Sequence, residues 1–386
     1  MSITALQHHL NLYDRLSDRN AESTHYRSIL EEVLGISLQH AVISTSEHAA
    51  PFNFATTVSY ALPQLAIQGA AMRPPAQIVI LVASLVPFDN RHHPRGFLTE
   101  DGIRFHLFPQ RLNKSCSMLQ GPVDVTSRKD SPAFLAKYPW LQPLLTQAPA
   151  FCDAAHQMAA IMEMMTTRWS PLGSSGNVTI RPFEEVARGM LMRLLEAKDP
   201  WVCRLLFNSA TRHAIAESLS GTFCAWGAQH GSFLFWQCHG EKTRRLVEKE
   251  GCLVNANIKI PITHDSILHA LSTREIVPGV FLALMVISFL PGLAVAGGPK
   301  QPAYYRAMIR AAKSVDAKLT RNEDLSTYGY WSVDLTRVSP TAKCSGNIPA
   351  VGAGLWLTEK VCDPHWLCDQ LNQCPVLPIP EALSYD

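Results

Sequence analysis

The sequence predicts a mixed α/β protein, with a parallel strand–helix–strand unit near its start and an antiparallel β region past its middle. Three observations carry this. Residues 77–86, QIVILVASLV, form a run rich in β-branched side chains, the pattern of a strand buried on both faces of a sheet. A shorter apolar run, His40-Ala41-Val42-Ile43, precedes it. Residues 54–71 between them suit a crossover helix, kinked at Pro63 and stopped by Arg73-Pro74-Pro75. Strand, helix and strand over so short a span read as a βαβ unit whose strands are parallel neighbours. Third, residues 232–262 alternate β-rich runs (SFLFWQC, TRRLVEK, CLV, NIKIPI) with turn signals at His239-Gly240 and Glu250-Gly251.

The other elements come in chain order. Leu6, Leu10, Tyr13 and Leu16 recur at helical spacing. So do Tyr26, Ile29, Leu30, Val33 and Leu34, with Ser23 as candidate cap and Gly35 placed to end the helix. Residues 96–108 alternate around Asp101-Gly102, a hairpin signal. Residues 149–169 read as a long helix whose Met158, Met162, Met164 and Met165 fill a core. The loop 173–177 is a candidate boundary between an N-terminal α/β region, 1–172, and a C-terminal α+β region, 173–386. Beyond it come a short strand at 178–180 and a helix over 182–197 with Ala187, Met190, Leu191, Leu194 and Leu195 on one face. Asp199-Pro200 and Asn208 start two further helices, and Thr263 or Asp265 caps another. Residues 302–319 give a helix with Tyr305, Met308, Ile309 and Ala312 on one side. Strands at 330–338 and 354–361 and a helix over 363–373 complete the reading.

Residues 276–299 carry no charge and must be weighed as a membrane span. A spanning helix needs about 20 apolar residues. Pro278-Gly279, Pro291-Gly292 and Gly297-Gly298 punctuate the segment, and its clean helical part, 280–290, is too short. A buried core helix is expected.

Composition narrows the function classes. The chain has 386 residues, 47% hydrophobic and 17% charged. It can therefore bury a core without staples. The 34 basic and 32 acidic residues leave a formal charge of +2, which gives no bulk electrostatic case for nucleic acid. Ten cysteines are scattered rather than dense, and the opening residues show no charged n-region followed by an apolar stretch. Reduced thiols in a soluble cytoplasmic protein are expected.

The strongest candidate site comes from topology. Ligands of open α/β sheets bind beyond the carboxyl ends of parallel strands. The first strand runs into Ser44-Thr45-Ser46-Glu47-His48, and the second into 87–96, PFDNRHHPRG. Those ends would bring together Glu47, His48, Asp89, His92, His93 and Arg95. Imidazole beside carboxylate suits acid/base work near neutral pH, and a guanidinium forks onto carboxylate or phosphate. His92 or His93 is the expected base, Asp89 or Glu47 its partner, and Arg95 the substrate anchor, with His48 beside it. The same residues resemble a metal set, but adjacent histidines point apart, so no metal is assigned. A second candidate is Gly297-Gly298-Pro299-Lys300 ahead of a helix. There, Gly297, Gly298 and Lys300 would bind an anion, although GxxxxGK[ST] is absent.

Other clusters read more simply as structure. Cys224 and His230 share a glycine-rich loop without a third, orienting group. Cys362, His365, Cys368 and Cys374 contain no CxxC pair and accompany a helix start at Asp363-Pro364. His264 and His269 are one residue too far apart for HExxH, so Thr263-His264-Asp265 reads as a cap. No GxGxxG fingerprint appears, and the sequence names no cofactor and no oligomeric state. The leading expectation is an enzyme of small-molecule biosynthesis, transferase-like. It would act on an anionic substrate, free or carrier-linked, by group transfer or acid/base chemistry. The competing expectation is a non-catalytic binding or scaffold subunit with an apolar surface for a partner.

Overall fold

A computed structural model describes residues 21–38, 41–48, 77–85, 96–98, 104–106, 151, 153–169, 178–220, 234–239, 242–293, 295–296 and 301–315, with isolated positions between 117 and 142. Within them helices and strands mix, with a small parallel sheet and several antiparallel ones. The described elements fall into two compact units. Helix α1 (Ala21–Leu34) and the elements from Phe183 onward belong to one, and those within Gln39–Pro182 to the other.

The second of these carries the parallel sheet. Strands β1 (Val42–His48) and β2 (Ile78–Ala83) pair in parallel from Val42↔Ile78, as the sequence predicts, with a register slip between Ser44 and Glu47. Their proposed crossover, 54–71, lies outside the described residues. The short strands β3 (Gly96–Leu98) and β4 (Arg104–His106) form the expected antiparallel pair. Helix α2 (Ala154–Trp169) leads towards β5 (Val178–Pro182), which pairs in parallel with β2 from Ile78↔Val178. Strand β2 is thus central, and Val79, Ile80, Leu81 and Val82 are all buried, as a strand covered on both faces requires. On the far side of β5, Glu163 accepts from the Ile180 backbone N–H at 3.1 Å and from Arg181 at 2.8 Å. A side chain of α2 thereby occupies a donor of an edge strand.

The other unit is built around α3 (Phe183–Glu196). Its Ala187, Met190, Leu191, Leu194 and Leu195 are buried, as their helical spacing predicts. Asp199 caps α4 (Pro200–Phe207) by accepting from the Val202 N–H at 2.8 Å. Tyr26 of α1 also donates to Asp199, at 2.9 Å, so one carboxylate holds a helix start and a neighbouring helix. Asn208 caps α5 (Ser209–Ser218), and Gly35 ends α1 at φ +69°, where an L side chain would be strained. Ser23 is not the cap expected of it, because α1 already begins at Ala21.

The antiparallel region divides into two sheets. Strands β6 (Phe235–His239) and β7 (Lys242–Arg245) belong to one, and β8 (Val247–Lys249), β9 (Cys252–Val254) and β10 (Lys259–Pro261) to the other. The run TRRLVEK is therefore not a single strand, since it breaks at the buried Leu246. Glu250 and Gly251 both take positive φ, the geometry that a tight two-residue hairpin loop demands. Buried Arg212 of α5 meets Glu248 with two hydrogen bonds, at 2.9 and 2.5 Å, and donates to the Leu206 carbonyl at 2.6 Å.

Thr263, rather than Asp265, caps α6 (His264–Ser272). The uncharged segment then starts as β11 (Ile276–Pro278), antiparallel to β6. It continues as α7 (Val280–Leu284), which widens into a π turn over Met285–Phe289. Phe281 to Ile287 are all buried, and no described helix is long and apolar enough to cross a membrane. Ser288 lies in this turn and hydrogen-bonds the Tyr305 hydroxyl of α8 (Gln301–Val315) at 2.6 Å, with both groups buried. Glu185 of α3 is buried under Arg188 at 2.9 Å and Arg274 at 3.0 Å, and Arg188 also donates to the Leu271 carbonyl at 3.0 Å.

Helices α1 and α3 approach closely at Gly189, where an added Cβ would stand 2.9 Å from Val33 Cγ1. Valine is stiff at χ1 and gives little. Gly189→Ala should gain about 1 kcal/mol of helix propensity and lose about 1–3 kcal/mol to overpacking. A net loss of stability is expected by urea denaturation, and Val33→Ala added to Gly189→Ala should restore most of it. Equal stability of wild type and the single variant would contradict this packing.

Candidate functional site

Parallel strands give the sheet a defined carboxyl edge. Glu47 and His48, expected in the loop beyond the first strand, are the last two residues of β1 itself. They pair with Val82 and Ala83, at the end of β2. The strand outlasts its apolar run because a ladder joins backbone to backbone and resumes after the slip at Ser44. Ser84, just past β2, is buried, and its carbonyl accepts from the buried Ser117 hydroxyl at 3.2 Å. The Leu119 N–H in turn donates to Ser117 Oγ at 3.2 Å, so a small polar lock closes on the end of β2.

Asp89, His92, His93 and Arg95 come after β2 in sequence but lie outside the described residues. So do Gly297, Gly298 and Lys300 ahead of α8, the loop with Cys224 and His230, and the C-terminal cysteines. Of the predicted site residues, the structure places the backbones of Glu47 and His48 at one strand end. Among the described residues, no group of three or more His, Cys, Asp or Glu side chains is arranged to hold a metal ion.

One further pair is not among the residues expected from the sequence. Asp153 precedes α2 and accepts from the His156 backbone N–H at 2.9 Å. The same carboxylate faces the His156 ring, with both oxygens 2.8 Å from Nδ1. The Asp153 side chain is 3% exposed and that of His156 28%. A buried carboxylate therefore grips one nitrogen of a ring that reaches the surface. The residue types for this are plain in the sequence: an aspartate three positions ahead of a histidine at a helix start. The methionines of 149–169 point to packing instead and overshadow the pair.

A second histidine, His264, is a helix-end clasp, consistent with the expected capping role. Its Nε2 lies 2.8 Å from the Leu195 carbonyl oxygen near the end of α3, and its Nδ1 lies 3.1 Å from Asp265 Oδ1. A charged ring donates to both acceptors, while a neutral one serves only one. The Leu195 carbonyl first, and then the Asp265 hydrogen bond, raise the His264 pKa, against burial and Lys198.

No family model matches the chain, and no curated protein matches it.

Because the folded-state pKa of His264 is raised, its contribution is fully present below the ordinary histidine value of about 6.5. It is lost as pH rises through the higher folded value. Denaturation midpoints measured from pH 5.5 to 8.5 should fall for wild type relative to His264→Gln. Parallel curves would show that the clasp adds nothing.

Proposed function

We propose that the chain is a transferase-like enzyme of small-molecule biosynthesis that binds an anionic substrate at the carboxyl edge of β1 and β2. Its chemistry is group transfer or acid/base catalysis. The observation that carries this reading is the parallel register ending at Glu47↔Val82 and His48↔Ala83. It supports a shared edge for the segments that leave the two strands, which is where open α/β sheets bind ligands. The segment after β2 supplies Asp89, His92, His93 and Arg95 in sequence. In this reading Arg95 anchors the substrate's carboxylate or phosphate, and His92 or His93 moves a proton with Asp89 or Glu47 as partner. His48 adds a donor to the same edge, and Gly297, Gly298 and Lys300 form a separate anion seat. A βαβ crossover through 54–71 would bring the two strand ends together in the usual right-handed way.

A survey of acyl-pantetheine thioesters, phosphate esters and carboxylate-bearing acceptors tests this. The purified chain should turn over one of these classes. Arg95→Ala should raise KM by about tenfold or more, the loss of a charge-assisted contact. Full activity in folded Asp89→Ala, His92→Ala, His93→Ala and Arg95→Ala variants would remove the site.

A further inference from the structure

A buried donor without an acceptor is costly, and natural proteins leave few of them. Among the described residues, one buried side-chain nitrogen or oxygen stands without a hydrogen-bond partner, the Nε2 of Gln237 on the central strand β6. We propose that Gln237 and its neighbour Arg244 form a binding site for a carboxylate group. The site belongs to the unit around α3 and does not rest on the reading of the β1 and β2 edge.

The surroundings fix which way the amide is turned. Asn255 Oδ1 accepts from the backbone N–H groups of Asn257, at 2.8 Å, and Ile258, at 3.2 Å. A backbone N–H can only donate, so Asn255 must turn its Nδ2 away from them. That nitrogen donates to Gln237 Oε1 at 2.7 Å and to the Arg245 carbonyl at 3.3 Å. A flipped Gln237 amide would set two NH2 groups against each other. Gln237 Nε2 is therefore left with its protons and no acceptor.

The sheet supplies none either. Residues directly opposite in an antiparallel pair put their side chains on one face, with Cβ atoms about 4.5–5.5 Å apart. Gln237 has Ile276 of β11 on one side and Arg244 of β7 on the other. Ile276 is apolar and buried. Arg244 carries only donors, and among the described residues it meets no hydrogen-bonding or ion-pair partner. The hold of Asn255 on both Gln237 and the Arg245 carbonyl keeps the amide over β7, on the side of Arg244. Arg244 is half-buried, which gives an incoming ion a way from solvent to the pair. An amide donor beside an unpaired guanidinium calls for an anion rich in oxygen. One positive charge and a planar fork match a carboxylate. Its two oxygens accept from Arg244 side by side, and one of them also accepts from Gln237 Nε2.

The full chain is titrated with sodium acetate, sodium phosphate and sodium chloride at constant ionic strength and followed by ¹⁵N NMR of the Gln237 side-chain amide and the Arg244 Nε–H. Acetate should shift both signals saturably, and chloride should not. Arg244→Gln should weaken acetate binding by about tenfold or more, the loss of a charge-assisted contact. Gln237→Glu keeps an oxygen for Asn255 and supplies the missing carboxylate in place. It should lose the acetate response and, without acetate, denature at a higher temperature than wild type. No acetate shift in wild type overturns the proposal, as does a shift that survives unchanged in Arg244→Gln. An equal response to chloride overturns it, and tighter binding of phosphate than of acetate overturns the carboxylate assignment. So does a Gln237 amide that ignores acetate and exchanges magnetisation with a long-lived internal water, because a water then fills the place.

Discussion

Strands that pair in parallel must deliver the segments leaving them to one edge, and the ladder joining β1, β2 and β5 imposes that constraint here. The ladder itself is held by burial. Four consecutive apolar residues of β2 lose their water on both faces, worth roughly 1.5–3 kcal/mol for each large side chain. The outer strand β5 gains a partner for one backbone donor from Glu163. With the strands fixed in direction, the carboxyl ends of β1 and β2 lie side by side at one edge of the sheet.

The unit around α3 solves a different problem, that of burying a long uncharged segment in water. Turning 276–289 into a strand, a short helix and a π turn lets every part of it meet a partner. The π turn leaves one hydroxyl, Ser288, inside the apolar surroundings, where it donates to the Leu293 carbonyl and meets the Tyr305 hydroxyl. Charged groups are treated the same way. Glu185 is buried beneath two arginines, and Arg212 under one glutamate and a carbonyl. Removing one member of such a set leaves a charge without its counter-ion, which costs far more than the set gains by existing. These clasps therefore specify how the helices and hairpins meet more than they add to stability.

The features legible in the sequence are local ones. Asp199, Asn208 and Thr263 cap helices because a short polar side chain next to an apolar stripe has few other uses. Strand β2 is legible from its β-branched run, and the helical face of α3 from its spacing. The full length of β1 is not, because Ser44 to His48 are polar and a backbone ladder ignores side-chain polarity. The break at Leu246 is hidden because both halves of TRRLVEK have strand character, and only their partners differ. At the candidate site, residue types suggest Glu47 and His48. The grip of Asp153 on His156 is masked by its likeness to an ordinary cap, since the same carboxylate also holds the backbone N–H.

The most direct test of the carboxyl edge as the binding surface is hydrogen–deuterium exchange of the whole chain, with and without the compound it turns over. Slowed exchange should appear in peptides covering 44–48 and 84–95, and little elsewhere. Protection confined to 183–315, with those two segments unchanged, would contradict the assignment.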